Sequence, residues 1–185
     1  MNNIKRIYLA GPSVFFPNFR EVESKLKALC HENGFEGVYP LDGDLDITNM
    51  SPQQAGRAIG AANYAHIRSC DAVLADLTPY HGPSADVGTV AECAYAYALG
   101  KAVVGYIEPY PFQGSYIEPS FKTRVQGFFQ LPTHATKDRR GNTIESFQLY
   151  DNCMVDTACN YGIHQNITYA LMALRHKTTP TLNIL

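Results

Sequence analysis

Short, nearly continuous apolar runs alternate along this chain with longer stretches in which apolar residues recur every three or four positions. The short runs are Ile4 to Ala10, Gly37 to Tyr39, Asp71 to Leu77 and Ala102 to Ile107, the pattern of strands buried on both faces. Between the first two, Val22, Leu26 and Leu29 share one face of a helix predicted from about Phe19 to Asn33, where Asn33-Gly34 supplies the stop. Ser51-Pro52-Gln53-Gln54 offers an N-cap, a proline at the first helical position and a polar third residue. A second helix is therefore expected through Ala55, Ala58, Ile59 and Ala62 to about Arg68. Gly82-Pro83-Ser84 breaks the chain after the third strand, and small residues dominate a third helix running from Gly88 to Gly100. This alternation predicts an α/β fold in three layers, a central parallel sheet of about five strands with helices on both faces.

Residues 108 to 150 interrupt the alternation. Pro109, Pro111, Pro119 and Pro132 punctuate a stretch crowded with Tyr and Phe. A structureless loop of that length is unusual in a compact domain, so a lid, an interface or further elements are expected there. A fifth strand is expected near Ile144 to Leu149 and a last helix over Ile163 to His176, followed by an extended tail. The series Tyr106, Tyr110, Phe112, Tyr116, Phe121, Phe128 and Phe129 reads as packing or as a subunit interface.

Composition narrows the classes. With 185 residues and 45% hydrophobic content the chain can bury one core and not two ordinary ones, so residues 1–177 are read as one domain and 178–185 as a C-terminal tail. A net charge of −2 without any long basic run argues against nucleic acid as a partner. No apolar stretch approaches the roughly 18 residues of a membrane span, and the N-terminus lacks the order of a signal peptide, so a soluble, cytoplasmic protein without a membrane partner is expected. Cys30, Cys70, Cys93, Cys153 and Cys159 form no C-x-x-C pair, which argues for reduced, mostly buried thiols over disulfides or zinc. The histidines show no metal-ligand spacing, with His66 and His81 read as surface residues, and Asp138-Arg139-Arg140-Gly141 reads as an exposed turn. Gly11-Pro12-Ser13 lacks the G-x-G-x-x-G pattern and no Walker sequence occurs, so neither metal nor cofactor is expected.

The candidate chemistry gathers at one end of the sheet. Open parallel sheets bind ligands at the carboxyl ends of their strands, which makes Tyr8, Asp76 and the loop to Asp86 neighbours in space. Asp86 suits the N-cap of the helix that carries Glu92. Glu92 stands among alanines beside Cys93 and Tyr95. It is either a chemically employed carboxylate, since a buried isolated acid is costly, or a solvent-facing helix residue. Tyr8 is either core packing or a core residue whose hydroxyl has found a partner. Asp71 lies at the opposite end of its strand and is a weaker candidate.

Ile7-Tyr8-Leu9-Ala10-Gly11-Pro12, then Asp71-Ala-Val-Leu-Ala-Asp76, then Pro83-Ser-Ala-Asp86-Val-Gly-Thr-Val-Ala-Glu92 with Tyr95-Ala-Tyr-Ala-Leu-Gly-Lys101, resemble in residue type and spacing the opening strand, substrate loop and central signature of the nucleoside 2-deoxyribosyltransferase family. Asp151-Asn152-Cys153-Met154 resembles the segment that in this family enters a neighbouring subunit's site. The similarity spans residues 4 to about 175, with 108 to 145 unplaced. It implies a flavodoxin-like (Rossmann-like) sandwich, a homo-oligomer of at least two subunits, and as substrates a 2'-deoxyribonucleoside and a free purine or pyrimidine base. Carried over by position, Glu92 would be the nucleophile at the anomeric carbon, held and tuned by Tyr8. Asp86 would bind sugar hydroxyls, Asn152 would contact the 5'-hydroxyl across the interface, and Met154 would pack near the base. Gly11 would belong to the substrate loop, and Asp76 would lie near the base or order the loop. Asp44 falls where an amide side chain reads the base in relatives. Asn63 falls where some members carry a base-contacting aspartate, and an amide cannot protonate a base.

A carboxylate that traps an oxocarbenium-like sugar and yields it to a second base needs neither metal nor organic cofactor. Two rivals share the same sheet. One is an N-glycosidase in which water resolves the intermediate, releasing deoxyribose or its 5'-phosphate. The other is a non-catalytic nucleotide-sensing module. Ser13 and Ser84 offer only a faint phosphate signal, and Asn152 favours nucleosides over nucleotides.

Overall fold

The computed structural model describes residues 4–108 and 120–176. Four apolar runs become strands β1 (Arg6–Ala10), β2 (Glu36–Val38), β3 (Ala72–Asp76) and β4 (Ala102–Tyr106), joined by a fifth, β5 (Ile163–His164). All pairs are parallel, in the order β2-β1-β3-β4-β5. Because the chain leaves β1 for β2 on one side and returns to β3 on the other, the order reverses between β1 and β3, and the carboxyl ends of strands at such a reversal are where open parallel sheets bind ligands.

The helices are α1 (Phe19–Glu32), α2 (Pro52–Ser69), α3 (Val87–Ala98), α4 (Phe121–Phe128), α5 (Cys153–Ala158) and α6 (Ile167–His176). The capping box read in the sequence forms at α2: Gln54 N donates to Ser51 Oγ, and Ser51 N donates to Gln54 Oε1 at 2.9 Å. A single-turn 3-10 helix, Pro12–Phe15, follows β1.

Strand alternation divides the core. Tyr8, Ala10, Val73, Ala75 and Val103 face one side and pack with Ile67 of α2, Cys93 and Ala96 of α3, and Val155 and Ala158 of α5. Ile7, Leu9, Leu74, Val104 and Tyr106 face the other, against Cys30 of α1 and Leu171 and Leu174 of α6. Tyr8 and α3 therefore share one side of the sheet, the placement on which the site depends. Cys30, Cys70, Cys93 and Cys159 are buried free thiols, and Cys153 is half-buried.

Two expectations are corrected, and one left open is answered. The fifth strand is Ile163–His164, not Ile144 to Leu149; near the latter stretch there is one antiparallel bridge, Lys137 with Thr143, and Gln148 at φ 60° departs from extended backbone. The last helix starts at Ile167 because Ile163 and His164 are taken up in register with Gly105 and Tyr106. The unplaced region contains α4, capped by Ser120 Oγ accepting from Thr123 N, and α5 follows it. Of the aromatic series, Tyr106 is core and Phe128 and Phe129 are exposed; Tyr110, Phe112 and Tyr116 lie outside the described residues, as does the tail 178–185. His66 is half-buried, its Nε2 bonded to the Asp42 carbonyl, whereas His81 is exposed. Asp138 closes the predicted turn by accepting from Arg140 N and Asn142 N. No helix among the described residues is long and apolar enough to cross a membrane.

Candidate active site

Tyr8 is fully buried in β1, and its hydroxyl donates to Glu92 Oε1 at 2.7 Å. Glu92 sits in the second turn of α3, and burial pushes its carboxyl up to about 7. The Tyr8 hydrogen bond works against that rise and the nearby Asp86 charge adds to it. Burial, then the charge of Glu92, pushes the Tyr8 phenol well up, so the tyrosine remains a protonated donor at any physiological pH. Glu92 is thus not the solvent-facing residue that the pattern allowed. It is a desolvated carboxylate with one oxygen held and Oε2 without a partner among the described residues.

Asp86 does cap α3: its Oδ2 accepts from Thr89 N at 2.9 Å and from Thr89 Oγ1 at 3.1 Å. At the end of β3, Asp76 Oδ1 accepts from Thr78 N at 3.0 Å, and burial pushes its carboxyl up, with Glu108 contributing. Gly11 lies directly against it. A Cβ at Gly11 would stand 3.0 Å from Asp76 Cβ, and with φ 161° the backbone there is extended, so space, not conformation, calls for glycine. Phe15 and Tyr80, from the loops after β1 and β3, stack with centroids 6.0 Å apart, and His81 meets Tyr80 edge-on. Nothing in the periodicity of the chain marks Phe15 and Tyr80, and their place just after two strand ends is the signal that points to them.

None of the remaining candidates hydrogen-bonds to the Tyr8–Glu92 pair among the described residues. Asn152 caps α5, its Oδ1 accepting from Met154 N at 3.0 Å and its Nδ2 donating to Glu145 Oε2 at 2.7 Å. Met154 is 72% exposed. Asn63 lies on α2, and its Oδ1 is buried with no hydrogen-bond partner. Asp44 is exposed on the loop after β2, making no hydrogen bond to the Tyr8–Glu92 pair. Asp71, at the far end of β3, accepts from Lys5 N and Arg6 N and joins β1 to β3 there. No group of three His, Cys, Asp or Glu among the described residues is arranged to hold a metal ion.

A doubly wound parallel sheet with a tyrosine-bonded, desolvated glutamate beside its topological switch point defines the class as an α/β domain. The nucleoside 2-deoxyribosyltransferase family model matches residues 7–154, and the chain belongs to that family. An uncharacterised protein of Schizosaccharomyces pombe is 34% identical over 102 residues, 54% of this chain and 48% of that protein, so the chain spans about half the length of this curated relative. Among solved structures, a 2-deoxyribosyltransferase from Leishmania mexicana superposes with a TM-score of 0.66 at 24% identity, covering 94% of this chain and 99% of that one. A conserved protein from Enterococcus faecalis superposes with a TM-score of 0.57 at 16% identity, covering 95% and 99%. Both structures share the fold.

Proposed function

We propose that this protein exchanges the base of 2'-deoxyribonucleosides through a covalent deoxyribosyl-glutamate, as a cytoplasmic enzyme of nucleoside salvage. The observation that carries the reading is the 2.7 Å bond from the buried Tyr8 hydroxyl to Glu92 Oε1. That bond fixes the carboxylate while leaving its second oxygen to attack. In the first half-reaction Glu92 bonds to the anomeric carbon as the bond to the base breaks, the base departing with the bonding pair and taking up a proton. In the second, another base attacks from its original face and displaces the carboxylate, so the configuration is retained. Asp76, at the carboxyl end of β3 with its carboxyl pushed up by burial, is suited to hold the proton that the leaving base takes. Asn63 cannot supply one, but its unpartnered carbonyl oxygen fits an amino group on the base. Asp86 keeps Oδ1 for a sugar hydroxyl while Oδ2 caps the helix.

A homo-oligomer of at least two subunits belongs to the same proposal, with Asn152 and Met154 serving the neighbouring site. Its support is the apolar exposure around the starts of α3 and α5, where Val87 is 84%, Met154 72% and Phe147 68% exposed. The test is incubation with deoxyinosine and excess cytosine. Deoxycytidine formed only when cytosine is present is the expected product; free deoxyribose alone would assign a hydrolase, and binding without products a sensing module.

A further inference from the structure

Helix α4 belongs to none of the sequence motifs that point to the site, yet its Arg124 reaches the loop between β3 and α3. Arg124 Nε donates to the Pro83 carbonyl at 2.7 Å. Its Nη2 donates to the Tyr150 carbonyl and lies 3.4 Å from Asp151 Oδ2. Asp151 grips the same loop: Oδ1 accepts from Ser84 Oγ at 2.6 Å and Oδ2 from Ala85 N at 2.9 Å. Asn152 N donates to Asp151 Oδ1 at 2.8 Å, and Asp151 N donates to Asp156 Oδ2 at 2.9 Å. The two charged side chains are 7% and 1% exposed.

An ion pair this buried is a weak source of stability, because desolvation offsets most of its Coulomb gain and an apolar pair of like volume would serve the fold as well. What it supplies is direction. A planar guanidinium and a carboxylate, each bonded at several atoms, fix the relative position of two chain segments more tightly than apolar packing does. Those segments are Pro83-Ser84-Ala85, which leads directly into Asp86 and the helix bearing Glu92, and Tyr150-Asp151, which leads directly into Asn152 and Met154.

We propose that Arg124 and Asp151 are positioning residues for glycosyl transfer: together they hold Asp86 and α3 in register with the Asn152–Met154 segment. The inference rests on the deoxyribosyl-transfer reading. Where Asn152 serves a neighbouring subunit, the clamp makes the sugar-holding parts of two sites one rigid unit. A displacement of about 1 Å in such a unit is enough to cost about 100-fold in rate.

The test uses the full-length protein in the deoxyinosine and cytosine assay, with KM, kcat, the ratio of deoxyribose to deoxycytidine and the unfolding midpoint measured together. Ser84→Ala removes one loop bond and leaves the ion pair whole. It is expected to raise KM for deoxyinosine about tenfold and to raise the share of deoxyribose, because a loosely held sugar lets water compete, with the unfolding midpoint unmoved. Ser84→Thr keeps the hydroxyl and should restore wild-type values. Asp151→Asn should show the larger effect, and Arg124→Lys an intermediate one, since an ammonium cannot span the Pro83 and Tyr150 carbonyls and Asp151 at once. Unchanged KM and product ratio in Ser84→Ala and Asp151→Asn, or activity that falls only with the folded fraction, would overturn the proposal. Absence of any exchange by the wild-type protein would overturn the transferase reading, and the clamp's role with it.

Discussion

Replacing Glu92 by Gln separates what the carboxylate does for the reaction from what it costs the fold. From its ordinary value of 4.5 in an unfolded chain the carboxyl is pushed up to about 7 in the native protein, chiefly because it is desolvated, with Tyr8 opposing the rise and Asp86 adding to it. The native state therefore binds this proton more tightly than the unfolded state does. The stability associated with the protonated carboxyl is fully present below pH 4.5 and is lost as the pH climbs through about 7. At about 1.4 kcal/mol per pH unit, and discounted for the part of the side chain that meets solvent, the loss amounts to about 2–3 kcal/mol in alkaline solution. Glutamine is neutral throughout and keeps an oxygen for the Tyr8 hydroxyl.

Glu92→Gln should therefore be the more stable protein well above pH 7, by about 2–3 kcal/mol, or about 4–12 °C in melting temperature for a chain of this size. Below pH 4.5 the two proteins should unfold together. Urea or thermal unfolding across a pH series reads both limits, and the exchange assay on the same samples should show a loss of about 1000-fold or more. A stability difference that does not change with pH, or that favours the wild type in alkali, would refute the desolvated carboxylate. Surviving exchange would refute the nucleophile.

Tyr8→Phe removes the one hydrogen bond that lowers the Glu92 pKa, so the acidic limb of the profile of kcat/KM against pH should move to higher pH; an unmoved limb would mean that the bond does not tune the carboxylate. Asp76→Asn should slow natural deoxynucleosides about 100-fold or more while sparing deoxyribosides whose leaving group is a stable anion. A uniform loss on both would deny Asp76 its proton. Gly11→Ala places a methyl 3.0 Å from Asp76 Cβ without backbone strain, so kcat/KM should fall about tenfold with a stability loss of about 1–3 kcal/mol; wild-type kinetics would show that the Gly11–Asp76 contact yields freely.

The parts of the fold that were legible are those whose causes are local. Strands β1, β3 and β4 read as apolar runs because a parallel strand covered on both faces has no polar side to show. The starts of α2 and α3 were legible because Ser51 with Gln54 and Asp86 with Thr89 satisfy backbone donors within three residues. What escaped was set from far away. Strand β5 is two residues long, and its register comes from Gly105 and Tyr106, not from its own composition. Arg124 and Asp151 grip Pro83, Ser84 and Ala85 across 41 and more residues, and polar contacts of that reach leave no periodicity behind.

Tyr8 and Glu92 lie between these cases. Each could be named from the pattern of the sequence, but their meeting across 84 residues was implied only by the family resemblance, and by pattern alone Glu92 remained as readily a solvent-facing residue as a reactive one. One local feature does bear on the choice: Tyr8 has the same strand parity as Ala10, and that face packs on Cys93, the residue next to Glu92. Parity can thus bring a tyrosine and a helix to the same side of a sheet. It cannot say that a carboxylate will be kept there at a cost of about 2–3 kcal/mol in alkali. Binary patterning places polar residues outside, so the position where this chain departs from that rule is where the proposed chemistry is concentrated.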